Sequence, residues 1–152
     1  MLKLRKNKKG FTLVELIVVI AIMAVLAGTV AGVTVSQLNK NTDKANGSQA
    51  KTIADFISSQ LIEGTIEASD SFTIGEIVNP TGTDESTYTL GNRLYKQFGN
   101  KVATTAVKGG AIGVSYDSTA KTFTVSYVGK QSGTKGDATY TINAEGIVNK
   151  TK

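Results

Sequence analysis

Glu15 is the side chain with the clearest chemical consequence in this chain. It is the only charged residue between Phe11 and Leu38, in a run rich in Val, Ile, Leu and Ala. A carboxylate in so long an apolar segment is costly, and by default it has a function. Lys9-Gly10-Phe11 stands just before it. Gly10 carries no side chain, and Glu15 lies five residues beyond it. In a medium where an unpaired charge costs several kcal/mol, such a carboxylate needs a cation or hydrogen-bond donors.

Other chemistry is sparse. The chain has no Cys, no His and a single Pro, Pro80. Thiol nucleophiles, disulfides, His general bases and the usual zinc and haem ligands are therefore missing. The expectation is a protein that is not an enzyme and that needs no cofactor or metal. Gly133-Thr134-Lys135 lacks the spacing of a phosphate-binding loop. Gly109, Gly110 and Gly113 make no dinucleotide fingerprint and suit a bend before a strand. Asp84-Glu85 fits an acidic surface turn better than a cation site. Asp117 and Asp137 flank strands, where turn chemistry explains them without calcium. Asn46-Gly47-Ser48 and Asn149-Lys150-Thr151 match the glycan acceptor pattern, which on its own is a weak signal. Tyr88, Tyr95, Tyr116, Tyr127 and Tyr140 suit sheet and core packing better than base stacking.

The net charge of +5 is local. Lys3, Arg5, Lys6, Lys8 and Lys9 supply all of it, and the remaining residues carry 12 basic and 12 acidic side chains. It marks a short N-terminal tag, not a nucleic-acid-binding face. Basic residues beside an apolar segment stay cytoplasmic, so the segment should enter a membrane with its start inside.

The elements that must position these residues follow from periodicity. Residues 1–10 form a basic leader. Phe11 to Val35 would span about 37 Å as a helix, enough for a hydrocarbon core of about 30 Å, and the apolar segment is taken as 11–38. Over 39–62 the helix should continue in amphipathic form. Val35, Leu38, Thr42 and Ala45 step by three and four, and so do Ala50, Ile53, Ala54, Ile57 and Leu61. A weak or bent point is expected at Asn46-Gly47, and Gly64 should end the helix. Such a helix is too long to be buried in a 15.9 kDa globule and should protrude. Residues 63–152 should form the globular part. A loop with short local structure near Phe72-Thr73-Ile74 comes first, then a short helix within 86–98. Strands are expected at Ala111–Tyr116, Thr122–Val128 and Ala138–Asn143, with a further short one at Gly146-Ile147-Val148. The expected fold class is α+β: a long protruding N-terminal helix packed against a C-terminal antiparallel sheet.

Gly10-Phe11-Thr12-Leu13-Val14-Glu15-Leu16, between a basic leader and a long apolar helix, resembles the class III signal of type IV pilins and related pseudopilins. The resemblance is close over residues 8–30 and architectural beyond them. It implies that a prepilin peptidase cuts after Gly10 and N-methylates Phe11. It also implies that the apolar helix stays in the mature chain, anchoring it in the cytoplasmic membrane until it packs into a filament core. Glu15 would then pair with the new amine of a neighbouring subunit. An ordinary signal peptide would have a shorter apolar region and a later cleavage site, and a plain anchor would not need Glu15.

What the resemblance implies is a structural subunit, in the first instance a major pilin. It would form a helical homopolymer serving adhesion or twitching motility, with an assembly platform and ATPases as partners. Two alternatives stay open: a pseudopilin of a type II secretion or competence (DNA uptake) system, and a membrane-tethered binding protein that never polymerises. The chain departs from the common pattern in two ways. Gly28 and Gly32 stand where many relatives have a helix proline, and the usual C-terminal disulfide loop is missing. Its lack of cysteine suggests a Gram-positive source. The ending Asn149-Lys150-Thr151-Lys152 argues against covalently linked sortase-type pili.

Overall fold

The computed structural model describes residues 10–152. The basic leader, apart from Gly10, lies outside the described residues. The chain divides into two compact units at Gln37–Leu38, each taken in turn below. Helix α1, Leu13–Ile62, contributes to both.

In the first unit, α1 begins at Leu13, two residues later than expected. Thr12 is the reason. Its hydroxyl oxygen accepts from the Glu15 N–H at 3.3 Å, and its own N–H donates to Glu15 Oε2 at 2.8 Å. This reciprocal pair is a capping box, with Thr12 at N-cap and Glu15 at the third helical position. Phe11 therefore precedes the helix. From Phe11 to Leu38 every residue is exposed within the isolated chain. The helix is long and apolar enough to cross a membrane, as its composition suggested.

The second unit holds the rest of α1, a short helix α2 (Leu90–Phe98) and five strands. The strands are β1 (Val102–Ala103), β2 (Ile112–Asp117), β3 (Thr122–Tyr127), β4 (Ala138–Ile142) and β5 (Val148–Lys150). They form one sheet in the order β1-β2-β3-β4-β5. All neighbours are antiparallel except β1 and β2. The α+β arrangement expected from sequence is thus present, with a helix packed on a mostly antiparallel sheet.

Alternation drives the packing. On β3, Phe123, Val125 and Tyr127 are buried while Thr122, Thr124 and Ser126 are partly exposed. The register sets Val125 opposite Val114 and Tyr140, and Phe123 opposite Tyr116 and Ile142, so one face of the sheet is continuously apolar. Ala50, Ile53, Ala54 and Ile57 of α1 and Leu90 and Leu94 of α2 join that face in one core. Burying each large aliphatic or aromatic side chain contributes about 1.5–3 kcal/mol.

Four local expectations need correction. α1 is continuous through Asn46-Gly47. Its apolar stripe is buried as expected at Ala50, Ile53, Ala54 and Ile57, but not before them: Val35, Leu38 and Ala45 are exposed, and Asp43 is buried instead. β1 was not anticipated, because two residues carry no periodicity. Phe72-Thr73-Ile74 forms no regular element. Instead the Phe72 ring packs edge-on against Tyr116 and Phe123, with centroids 5.0 and 5.3 Å apart. Gly64 does end α1 as expected. Its φ is +69°, its N–H bonds the Leu61 carbonyl at 3.1 Å and the Thr65 N–H bonds the Gln60 carbonyl at 2.9 Å. These two bonds form a Schellman cap.

Candidate functional site

The candidate site is the start of α1. Gly10, Phe11 and Thr12 lie outside regular structure, and Phe11 is 92% exposed, so the Gly10–Phe11 bond sits in irregular backbone. A Cβ built on Gly10 would meet nothing within 4 Å. Glu15 is fixed by Thr12, whose N–H and hydroxyl both donate to Oε2 at 2.8 Å. No donor reaches Oε1 among the described residues. Thr12 keeps an amide N–H whether or not the chain is cut after Gly10, so cleavage does not remove the capping donor. A carboxylate in the first turn also meets the positive end of the helix dipole. The Thr-x-x-Glu spacing of this cap was visible in the sequence and was missed there.

The other sequence candidates are not brought together. Asp84 caps a 3₁₀ turn at Glu85–Thr87, accepting from the Ser86 N–H at 3.0 Å. Glu85 forms an ion pair with Lys96, whose hydrogen bond lowers the Glu85 pKa from its ordinary value. Asp117 accepts from the N–H groups of Thr119 and Ala120 at 2.9 and 3.0 Å, closing the β2–β3 turn. Asp137 pairs with Lys152 at 2.8 Å and accepts from the Gly129 N–H at 2.8 Å. Gly133-Thr134-Lys135 lies in the β3–β4 loop. Asn46 Nδ2 donates to the Tyr127 hydroxyl at 3.1 Å, whereas Asn149 is exposed on β5. Among the described residues no three His, Cys, Asp or Glu side chains converge as metal ligands.

Sequence reasoning also missed Asp43. It is 3% exposed and accepts four hydrogen bonds. Oδ1 takes the Tyr127 hydroxyl at 2.9 Å and the Lys130 N–H at 2.7 Å. Oδ2 takes the Gln131 N–H at 3.3 Å and its side-chain amide at 2.9 Å. Burial alone would raise this carboxyl's pKa. The donors of Lys130, Gln131 and Tyr127 outweigh burial and hold it below the ordinary value. Asp43 therefore latches the β3–β4 loop onto α1, and Asp137–Lys152 ties down the chain's last residue beside it. With no cysteine present, these carboxylates close loops that a disulfide could otherwise close. The position offered one signal: Asp43 is in register with Gly47, Ala50, Ala54 and Ile57 on the buried stripe.

Residues 5–31 match the family model described as the prokaryotic N-terminal methylation motif. That motif is the class III signal peptide of type IV pilins, so the N-terminus is of the prepilin type. Comparison with curated proteins and with solved structures gives no match. Neither the motif nor the fold supports the Gram-positive source expected from the lack of cysteine.

Proposed function

We propose that this chain is the structural subunit, as major pilin, of a type IV pilus. Prepilin peptidase cleaves it after Gly10 and N-methylates Phe11. Its start remains inside, its apolar helix anchors it in the cytoplasmic membrane, and an assembly platform driven by separate ATPases packs it into a surface filament. The observation that carries this reading is the methylation motif over residues 5–31, joined to an exposed apolar helix with Glu15 in its first turn. In this reading residues 1–10 are removed, 11–38 form the filament core, 39–62 continue the helix and 63–152 form the head.

The chemistry at the subunit start is electrostatic. Before cleavage, Glu15 is a carboxylate at the edge of lipid, satisfied on one oxygen by Thr12. After cleavage, the Phe11 ammonium of a neighbouring copy meets Oε1. Each charge cancels a desolvation cost the other would bear alone, and burial of exposed Val, Ile and Leu side chains between helices drives assembly. The subunit itself is not catalytic. Adhesion and twitching motility are the roles proposed for the filament.

The test is to image surface filaments in the wild type and in a strain lacking this chain, and to identify their main protein. Abundant filaments made of this chain support the major pilin. Filaments built from another protein, with this chain a trace component, would assign it instead to a minor or pseudopilin role. A chain that stays monomeric in the membrane would leave only the tethered binding protein.

A further inference from the structure

The charges of the unit formed by residues 38–152 are sorted along the axis of α1. Packing defines the two ends. At one end, where α1 enters the unit, Asp43 holds Lys130 and Gln131 of the β3–β4 loop. The Gly109 N–H bonds the Val128 carbonyl at 2.7 Å, bringing the β1–β2 loop to the same end. From Asp43 to Ser58, α1 advances roughly 22 Å. There the Ser58 hydroxyl donates to the Gly146 carbonyl at 2.5 Å. The β2–β3 turn also belongs to this far end, because Phe123 pairs with Ile142.

The entry end presents Lys40, Lys44, Lys101, Lys108, Lys130 and Lys135. All are exposed, and none has a carboxylate partner among the described residues. The carboxylates there, Asp43 and Asp137, are already spent on the loop and on Lys152. The far end presents Glu63, Glu67, Asp70, Asp117 and Glu145, all exposed. The cation among them, Lys121, lies 3.5 Å from Asp70. Between the ends Lys51 pairs with Asp55 and Lys96 with Glu85, and Lys150 is exposed opposite Tyr140.

We propose that the basic entry end of one copy docks on the acidic far end of the next, a head-to-tail contact between copies of this chain. Unlike ends attract and like ends repel, so the charge pattern sets direction as well as attraction. A repeating contact between two different patches is heterologous and propagates into a polymer. The proposal deepens the filament reading and rests on it in one respect. Parallel copies staggered along a filament axis bring the basic end of one against the acidic end of the next. The latches at Asp43 and Asp137 give the basic end its fixed shape, because they hold the loop that carries Lys130 and Lys135.

The chain has no cysteine, so a pair can be introduced without background. Lys130→Cys with Glu145→Cys, and independently Lys135→Cys with Glu67→Cys, are placed in the full-length chain in its own membranes and oxidised. The two ends are too far apart for a bond within one copy, because a disulfide needs Cα atoms within about 7 Å. The expected result is a ladder of oligomers on a non-reducing gel, while any single cysteine stops at dimers. Added Lys108→Glu and Lys101→Glu should lower the ladder at least tenfold, as should 1 M salt, where the Debye length falls to about 3 Å. Glu63→Lys with Asp117→Lys should restore it in the reversed background. Dimers alone from both cysteine pairs, or a ladder indifferent to salt and to charge reversal, would overturn the proposal. So would loss of phosphatidylglycerol-vesicle binding on lysine reversal with no ladder in either state, which would assign the basic end to lipid. Filaments without a ladder would overturn the contact and leave the filament reading intact. A ladder in cells that make no filaments would support the contact and count against that reading.

Discussion

Glu15 and Asp43 are two carboxylates on one helix with opposite surroundings. Glu15 is exposed within the isolated chain and capped on one oxygen, while Asp43 is buried and takes donors on both. Glu15→Ala should therefore leave cleavage after Gly10 largely intact but abolish or sharply reduce filaments; normal filaments in that variant would contradict the pairing. Asp43→Ala should destabilise the head by about 2–4 kcal/mol, because buried donors lose their acceptor. Calorimetry of the detergent-solubilised chain would read that as a Tm drop of roughly 10 °C. The pH dependence has a definite sign. A folded pKa below the unfolded value near 3.9 gives stability that is fully present above about pH 4 and lost as pH falls through the folded value. Asp137 is also lowered, by Lys152 and the Gly129 N–H, and acts in the same window. Asp43→Asn should flatten part of the acid limb below pH 4 and leave neutral pH behaviour without a new titration. Glu15 was legible because it interrupts an apolar run. Asp43 was not, because its donors lie 84 to 88 residues away in sequence.

The elements were legible in proportion to their periodicity. β3 alternates cleanly, and its observed span, Thr122–Tyr127, is one residue shorter than expected. α2 is stopped and started by local chemistry, with a Thr89–Asn92 capping box at its front. β1 exists only because Val102 and Ala103 pair with Ile112 and Gly113, a tertiary cause that leaves no local trace. The glycines of these elements respond differently to a methyl group. At Gly47 an added Cβ would stand 3.6 Å from the Ala138 Cβ, an ordinary contact. Gly47→Ala should therefore stabilise α1 by up to about 1 kcal/mol through helix propensity, seen as a higher Tm with unchanged secondary structure. Gly91 is the opposite case, since a Cβ would run into the backbone carbonyl of Glu76. Gly91→Ala should lower the Tm and loosen the 75–92 segment, detected as faster amide exchange at Gly91, whose N–H bonds the Ile74 carbonyl at 2.7 Å.

At the scale of the molecule, an N-terminus of the prepilin type is joined to a helix-on-sheet head. The proposed processing and membrane anchoring rest on the first 38 residues, and the proposed direction of subunit contact on the sorted charge of the rest. The sequence total of +5 concealed that sorting, because a leader of five cations masked a neutral remainder divided between two ends. The central claim is that the functional chain begins at Phe11 and keeps its apolar helix. Mass spectrometry of the N-terminal peptide from purified surface filaments tests it most directly. The predicted result is a chain starting at Phe11, carrying one methyl group on its α-amine and continuing through Glu15. A chain that retains Met1, or one cut beyond the apolar run, would contradict it.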